Sequence, residues 1–466
     1  MAWPDMVRTY DAVRTAAIMG AVIESTETRE WEAPPSASPA GWSQLMERLG
    51  FAVLVVTLIA VMVVIDTGHE DVFARIKLRV AFLGAGALAV ILVLAGGGLL
   101  RRRHLADWLV LGYVAWSGLA WVVAPDLGDQ WWGERFQFQG MGSVVTYALL
   151  YLAARRCVAT SGQLVSLLWW VLAGGTFLAT YGVLQRADLD PVWDTLLDGR
   201  VFSTIGNPNT LASVLVLMLP LSYYFVRRGS VPQRAVAAVA AVSIAVALVF
   251  TASRGGFIAA AVGVIIFVTL GPRPSRREVE TAAAGVLVLV ALVIAVSPLR
   301  TEVTSAWDRA LSTFDSSDES RRFHVDGWNV TLAMVVDHPL VGVGHERFPV
   351  EFPAYRDREL SDEAIARFAP YRLESPHNVP LAIAVGAGLP ALALYLSLVA
   401  VTFAAWIRHP LERTLQAAIV AVVASHLVAD MFVTADLSSA SVFWVLLGAM
   451  VSVVQTGSSV QADSDH

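Results

Sequence analysis

Three kinds of residue in this chain can do chemistry at a membrane surface. The first is arginine set between apolar runs. Arg254 stands in Ser253-Arg254-Gly255-Gly256, a turn too short to carry it far from a bilayer. A guanidinium beside glycines that open the backbone suits phosphate oxygens at headgroup depth. The plainer reading is an arginine that reaches up to lipid headgroups. Arg321 and Arg322 follow Asp318-Glu319-Ser320 and read either as phosphate ligands or as a solvated run paired with its own acids. Arg200 precedes the turn Gly206-Asn207-Pro208-Asn209, where Asn209 or Thr210 can cap a helix that starts near Leu211. The second kind is His377, which with Asn378 ends a long polar stretch. A histidine there can be a general base near neutral pH, or a plain capping residue. The third is the pair His426 and Asp430, four apart on one apolar helix and so on one face. Ionisable groups inside a membrane helix are functional candidates by default, although these two can simply pair with each other. No His-x-x-x-His and no EF-hand run is present, and Asp315, Asp318 and Glu319 read equally well as solvated loop. Neither a metal nor a cofactor is expected.

The elements that position these residues are membrane helices. The chain is 56% hydrophobic and 15% charged, where a soluble chain runs nearer 25% charged. A bilayer core of about 30 Å needs roughly 20 apolar residues per helix. The apolar runs are 49–65, 80–100, 108–124, 141–154, 164–184, 211–226, 235–250, 257–270, 282–296, 381–406, 417–433 and 442–454, about twelve helices. The fold class is therefore all-α and polytopic. A polar tail and Pro/Ser/Ala linker occupy 1–47, helices one to nine 48–296, an extracytoplasmic loop 297–378, helices ten to twelve 379–455, and a short tail 456–466. The first residues, with Asp5, Arg8, Asp11 and Arg14, lack the pattern of a secretory signal.

Net charge is −6, so no basic field points to nucleic acid. The single cysteine, Cys157, excludes an internal disulfide and a cysteine-rich zinc site. Lys77 is the only lysine, a bias read as base composition rather than function. Arginine clusters at 101–103, 155–156, 227–234, 273–277 and 408–413 fall in every second loop, which makes those loops cytoplasmic and puts both termini inside. The opposite, outer face then holds 125–140, 186–209, the turn 251–255 and the long stretch 297–378. A loop of that length is expected to contain helices and to carry function.

Together these outer segments resemble the O-antigen ligase and O-antigen polymerase superfamily, bacterial membrane enzymes that transfer glycans from a polyprenyl-diphosphate carrier. The resemblance rests on Gly133-Glu134-Arg135 with Gly140, on FSTIGNPNTLASVLVLMLPL from Phe202 to Leu221, and on Ser253-Arg254-Gly255. It continues through WNVTLAMVVDHPLVGVGHERF from Trp328 to Phe348 and His377-Asn378, so that order and spacing match over roughly 130–400. Two positions depart from the pattern. His324 stands where the family often has an arginine, and Pro380 and Gly386 replace an aromatic and a glutamate.

The resemblance implies a fold similar to GT-C-type glycosyltransferases and a metal-independent, inverting transfer at the outer face of the bacterial inner membrane. The donor would be an undecaprenyl-diphosphate-linked glycan and the acceptor a lipid, glycan or protein hydroxyl. His377 would be the base. Arg254 with Arg321 or Arg322 would hold the charge of the leaving diphosphate. Arg200, Arg135, Glu134, Asn207, Asn209 and Asn378 would be supporting contacts. Ligase and polymerase chemistry both fit, and a lipid or solute transporter or flippase is the alternative from another class.

Overall fold

The computed structural model describes residues 39–96, 103–133, 137–193, 196–276, 280, 319–368 and 372–464. Among the described residues there are α-helices and one 3-10 turn, and no β-strand. In chain order they are α1 (Pro39–Val63), α2 (Ala74–Leu94), α3 (Leu105–Val123), the short α4 (Leu127–Trp132), α5 (Met141–Cys157) and α6 (Ser161–Arg186). The 3-10 turn Ser203–Ile205 leads into α7 (Pro208–Arg228), α8 (Val231–Thr251) and α9 (Arg254–Leu270). Then come α10 (Glu319–Asp337), α11 (Phe348–Glu359), α12 (Asp362–Phe368), α13 (Val379–Arg408), α14 (Arg413–Ala429) and α15 (Leu437–Ser464). Met46 onward forms one compact unit.

Among the described residues, eight helices are long and apolar enough to cross a bilayer: α1, α2, α3, α6, α7, α8, α13 and the first part of α15. The apolar helices α9 and α14 are shorter, at 17 residues each. Each apolar run read from the sequence coincides with a helix, except 282–296, which lies outside the described residues. The helix α1 begins at Pro39, ahead of the tail boundary expected at 47. Leu83, Val90 and Val93 of α2, and Val264, Ile265 and Val268 of α9, are exposed apolar side chains, the pattern of faces turned to lipid. The core helix is α15, with 89% of its apolar window buried. Its Gly448 lets α5 come close, because a Cβ there would sit 3.1 Å from that of Ala154.

The long polar stretch 297–378 contains helices among its described residues, as expected. The described helices α10, α11 and α12 share a small core of their own, with Val330, Met334, Phe348, Phe352 and Phe368, and it extends onto Ala384 and Val385 of α13. The segment 338–344 (HPLVGVG) is the joint between them. It enters a break in α13 at Gly388, whose φ of 84° ends the regular helix before Pro390. Leu389 N–H donates to the Pro339 carbonyl at 2.8 Å, and Val343 N–H to that of Val385 at 2.8 Å. Trp116 Nε1 on α3 donates to the Leu340 carbonyl at 3.0 Å. A Cβ on Gly342 would lie 2.8 Å from the Ala387 nitrogen, so the close approach requires glycine. The motif most specific to the resemblance is thus a structural wedge.

At one end of the bundle the connections α2–α3, α5–α6, α7–α8 and α13–α14 gather. Here Arg155 forms a two-pronged pair with Asp107, Nε to Oδ1 at 2.8 Å and Nη2 to Oδ2 at 3.0 Å, and Tyr151 donates to the same carboxylate at 2.9 Å. Arg228 pairs with Glu412, which also caps α14. The α1–α2, α4–α5, α6–α7 and α14–α15 connections meet at the opposite end.

Candidate active site

At that opposite end lies a cavity of about 830 Å³. One wall comes from the start of α2 and the turn before α7, with Asp71, Lys77, Asn207 and Asn209. The facing wall comes from α10, α12 and the link into α13, with Glu319, His324, Arg367, Arg372, Glu374 and His377. The loop from Phe432 to Asp436 closes it from α14 and α15.

His377 reaches this cavity by local geometry. It adopts a left-handed backbone, φ 47°, an arrangement that costs a non-glycine residue about 1–3 kcal/mol. Its neighbours hold it there. Its N–H donates to Ser375 Oγ at 3.2 Å, and Asn378 begins α13 by accepting from Leu381 N–H at 3.0 Å. Pro380 at the second helical position removes a donor that the helix start leaves unused anyway. The imidazole Nδ1 lies 3.0 Å from Thr434 Oγ1, and Ser375 Oγ lies 2.6 Å from the same oxygen. Nε2 has no hydrogen-bond partner among the described residues. Burial lowers the pKa of His377 from 6.5 to about 4, and His324, its ring 5.8 Å away, adds to the shift. The imidazole is therefore neutral at pH 7, with Nδ1 engaged, in a residue that lines the cavity.

The turn before α7 is built by Asn207, whose Oδ1 accepts from Asn209 N–H at 2.9 Å and Thr210 N–H at 3.3 Å. With Pro208 at the first helical position, the cap is Asn207 rather than Asn209 or Thr210, and the helix starts three residues earlier than the apolar run suggests. Asn209 is instead gripped by Arg200, Nη2 to Oδ1 at 2.6 Å, while Arg200 Nε donates to the Thr251 carbonyl at 2.6 Å. Arg200 so ties the cavity wall to the end of α8. Two residues beyond Thr251, Ser253 caps α9 by accepting from Gly256 N–H, and Arg254 is the first residue of that helix. Arg254 is partly exposed and is not in the cavity lining, and the next residue, Gly255, packs on Phe432, where a Cβ would lie 2.7 Å from that of Phe432.

Other candidates fall elsewhere. Arg321 and Arg322 are exposed on the first turn of α10 and are not in the wall; their helix presents Glu319, Phe323 and His324 to the cavity instead. Helical spacing explains the difference, since 319 and 323 share a face that 321 does not. Asn378 is buried and capping, its Nδ2 donating to the Met431 carbonyl at 3.3 Å, and it does not line the cavity. Glu134 and Arg135 lie outside the described residues. His426 and Asp430 pair with each other, Nε2 to Oδ2 at 3.3 Å, beside a separate chamber of about 100 Å³.

Asp71, Arg367, Arg372 and Glu374 of the wall were missed from sequence, and so were Lys77 and Asp436. Lys77 is 1% exposed, and its ammonium donates to the Val61 carbonyl at 2.7 Å, the Met62 carbonyl at 3.0 Å and Ser438 Oγ at 3.4 Å. Asp436 caps α15 by accepting from Ser438 and Ser439 N–H and lines both chambers. A lone lysine in an arginine-rich chain, placed at the start of an apolar helix, was the available signal for Lys77. Among the described residues no group of three His, Cys, Asp or Glu side chains could hold a metal ion.

The fold and site define a polytopic helical membrane protein with a polar cavity at one end of its bundle. Residues 238–396, from within α8 to beyond the break in α13, match the O-antigen ligase family model (Wzy_C), which supports the O-antigen ligase and polymerase superfamily. No curated protein matches the chain.

Proposed function

We propose that this protein is a glycosyltransferase that moves a glycan from an undecaprenyl-diphosphate carrier to an acceptor hydroxyl at the outer face of a bacterial inner membrane. The observation that carries the reading is the cavity itself, where His377 faces Asn207 and Asn209 across one open space. The acceptor oxygen attacks the anomeric carbon from the face opposite the diphosphate, and the configuration inverts. The acceptor proton passes to His377 Nε2, and the bond to the carrier phosphate breaks. Positive charge near the departing diphosphate lowers the barrier most where charge develops. Arg367, Arg372 and the Lys77 ammonium line the cavity and supply it there, with Arg200 and Arg254 in support at the α7–α9 end, so the transfer needs no metal. Apolar helix faces hold the polyprenyl tail, and α10 to α12 cover the glycan.

The basic helix ends at Arg155, Arg156, Arg227 and Arg228 lie away from the cavity, which supports cytosolic termini. The test is purified protein in proteoliposomes with a defined carrier-linked repeat unit. A single shifted product with a separate acceptor is the expected result and marks a ligase. A ladder marks the polymerase reading. Movement of labelled lipid across the bilayer with no new glycosidic bond would replace both with a flippase.

A further inference from the structure

Any base at this site must hold its proton on the correct nitrogen, and the structure contains a device for that. Three polar atoms stand in a row: Ser375 Oγ, Thr434 Oγ1 and His377 Nδ1, at 2.6 Å and 3.0 Å. Ser375 and Thr434 are 59 residues apart, on opposite sides of α13 and α14 in the chain. Ser375 Oγ is fixed at the far end, because it also accepts the His377 backbone N–H. Each hydroxyl has one proton to give, and one of the two must lie between the oxygens. Only two arrangements complete the row. In the first, Thr434 donates to Ser375, so its oxygen accepts from an Nδ1–H and the lone pair is on Nε2. In the second, Ser375 donates to Thr434, which donates to Nδ1, and Nε2 carries the proton. The hydrogen bond at one ring nitrogen thus decides the state of the other.

We propose that Thr434 and Ser375 are positioning residues that keep the proton of His377 on Nδ1 and leave Nε2 as the acceptor of the substrate proton. This rests on the reading of His377 as the base. Ser375 Oγ accepts the His377 backbone N–H and can still give or take the bond to Thr434, so that contact fits both arrangements. The role of the ring as base selects the first. Only there does Nε2 carry a lone pair for the acceptor proton, and the imidazolium that forms still has an Nδ1–H for Thr434 Oγ1. In the second arrangement Nε2 already holds a proton and cannot take another. The row therefore supports both the neutral base and its protonated form, and no proton leaves it during the step.

The test is the variant pair Thr434→Val and Thr434→Ser, assayed for transfer in proteoliposomes. Valine keeps the shape and removes the hydroxyl. We expect a 10- to 100-fold fall in kcat with an unchanged KM for the lipid donor, and recovery to within about threefold in Thr434→Ser. Ser375→Ala should fall in the same direction and less. Nitrogen-15 spectra of histidine-labelled protein, with the His377 signal assigned by loss in His377→Ala, should show Nδ1 protonated in the wild type and an altered tautomer in Thr434→Val. A Thr434→Val enzyme with wild-type kcat would overturn the proposal, as would a Thr434→Ser enzyme as slow as Thr434→Val. An Nε2–H signal in the wild type would also refute it. Should His377→Ala retain full transfer, the function reading fails first. Should His377→Ala be inactive while Thr434→Val is unaffected, only the positioning role fails.

Discussion

Arg155 and His377 sit at opposite ends of the same bundle, and their surroundings differ in one respect. Arg155 gives its guanidinium to Asp107 in two parallel bonds, Asp107 takes a third from Tyr151, and Arg155 reaches on to Gln455 at 2.9 Å. Partners surround both charges, and both side chains are nearly inaccessible, at 4% and 2%. His377, in the cavity lining, has one nitrogen held by Thr434 and no hydrogen bond at the other among the described residues. The first arrangement fastens α3, α5 and α15 together. The second leaves one ring nitrogen unengaged at a fixed place. Polar groups of the same kinds serve cohesion where every bond is closed, and the proposed chemistry needs one left open.

Breaking each end should therefore give different losses. The largest expected effect is on rate. His377→Ala should lower transfer about 100- to 10,000-fold, read as kcat in the liposome assay, while thermal unfolding in detergent moves little. At the other end Asp107→Ala leaves a buried guanidinium without its carboxylate and should cost about 3–5 kcal/mol of stability. Its transfer rate per folded molecule should stay near wild type; a fall comparable to that of His377→Ala would erase the contrast.

A smaller effect is expected from pH. The base form of His377 is the neutral ring, and its pKa is lowered from 6.5 to about 4. The rate should be flat from pH 8 down through 6 and fall only as the pH approaches 4; half-loss near 6.5 would mean an imidazole open to water. The smallest effect should come from Arg228→Ala. Its pair with Glu412 is half exposed, at 50% and 40%, so the cost should be about 0–1 kcal/mol by thermal unfolding.

Helices were legible in the sequence because a span long enough for a bilayer leaves little room for another pattern. His377 drew notice as a histidine where a polar stretch meets an apolar run, a place that suits a capping residue equally well, and it lines the cavity. The wall opposite was less so. Asn207 caps α7 in place of Asn209, since Pro208 starts the helix early, and one residue type can serve either purpose. Arg321 and Arg322 drew notice by charge, yet the turn of α10 presents His324 instead, at the position where this chain departs from the resemblance. Lys77 was hidden by the arginine-rich background, because its meaning depends on two carbonyls at the end of α1 that no spacing reveals. The Ser375–Thr434 row was illegible for the same reason: neither residue is unusual, and only the return of the chain after α14 brings them together.

The break in α13 has a mechanical consequence. An unbroken helix of 30 residues would be about 45 Å long, well beyond the hydrocarbon thickness, and would tilt as a single rod whenever the bilayer thickened or thinned. Gly388 divides that rod. The segment before it is tied to Val343 through the Val385 carbonyl and to the Met431 carbonyl through Asn378, and the first residue beyond it, Leu389, is tied to the Pro339 carbonyl. His377 stands at the far end of the tied segment. A joint of this kind lets a change in membrane thickness be taken up by the span beyond Gly388 with the His377 end of the helix held in place.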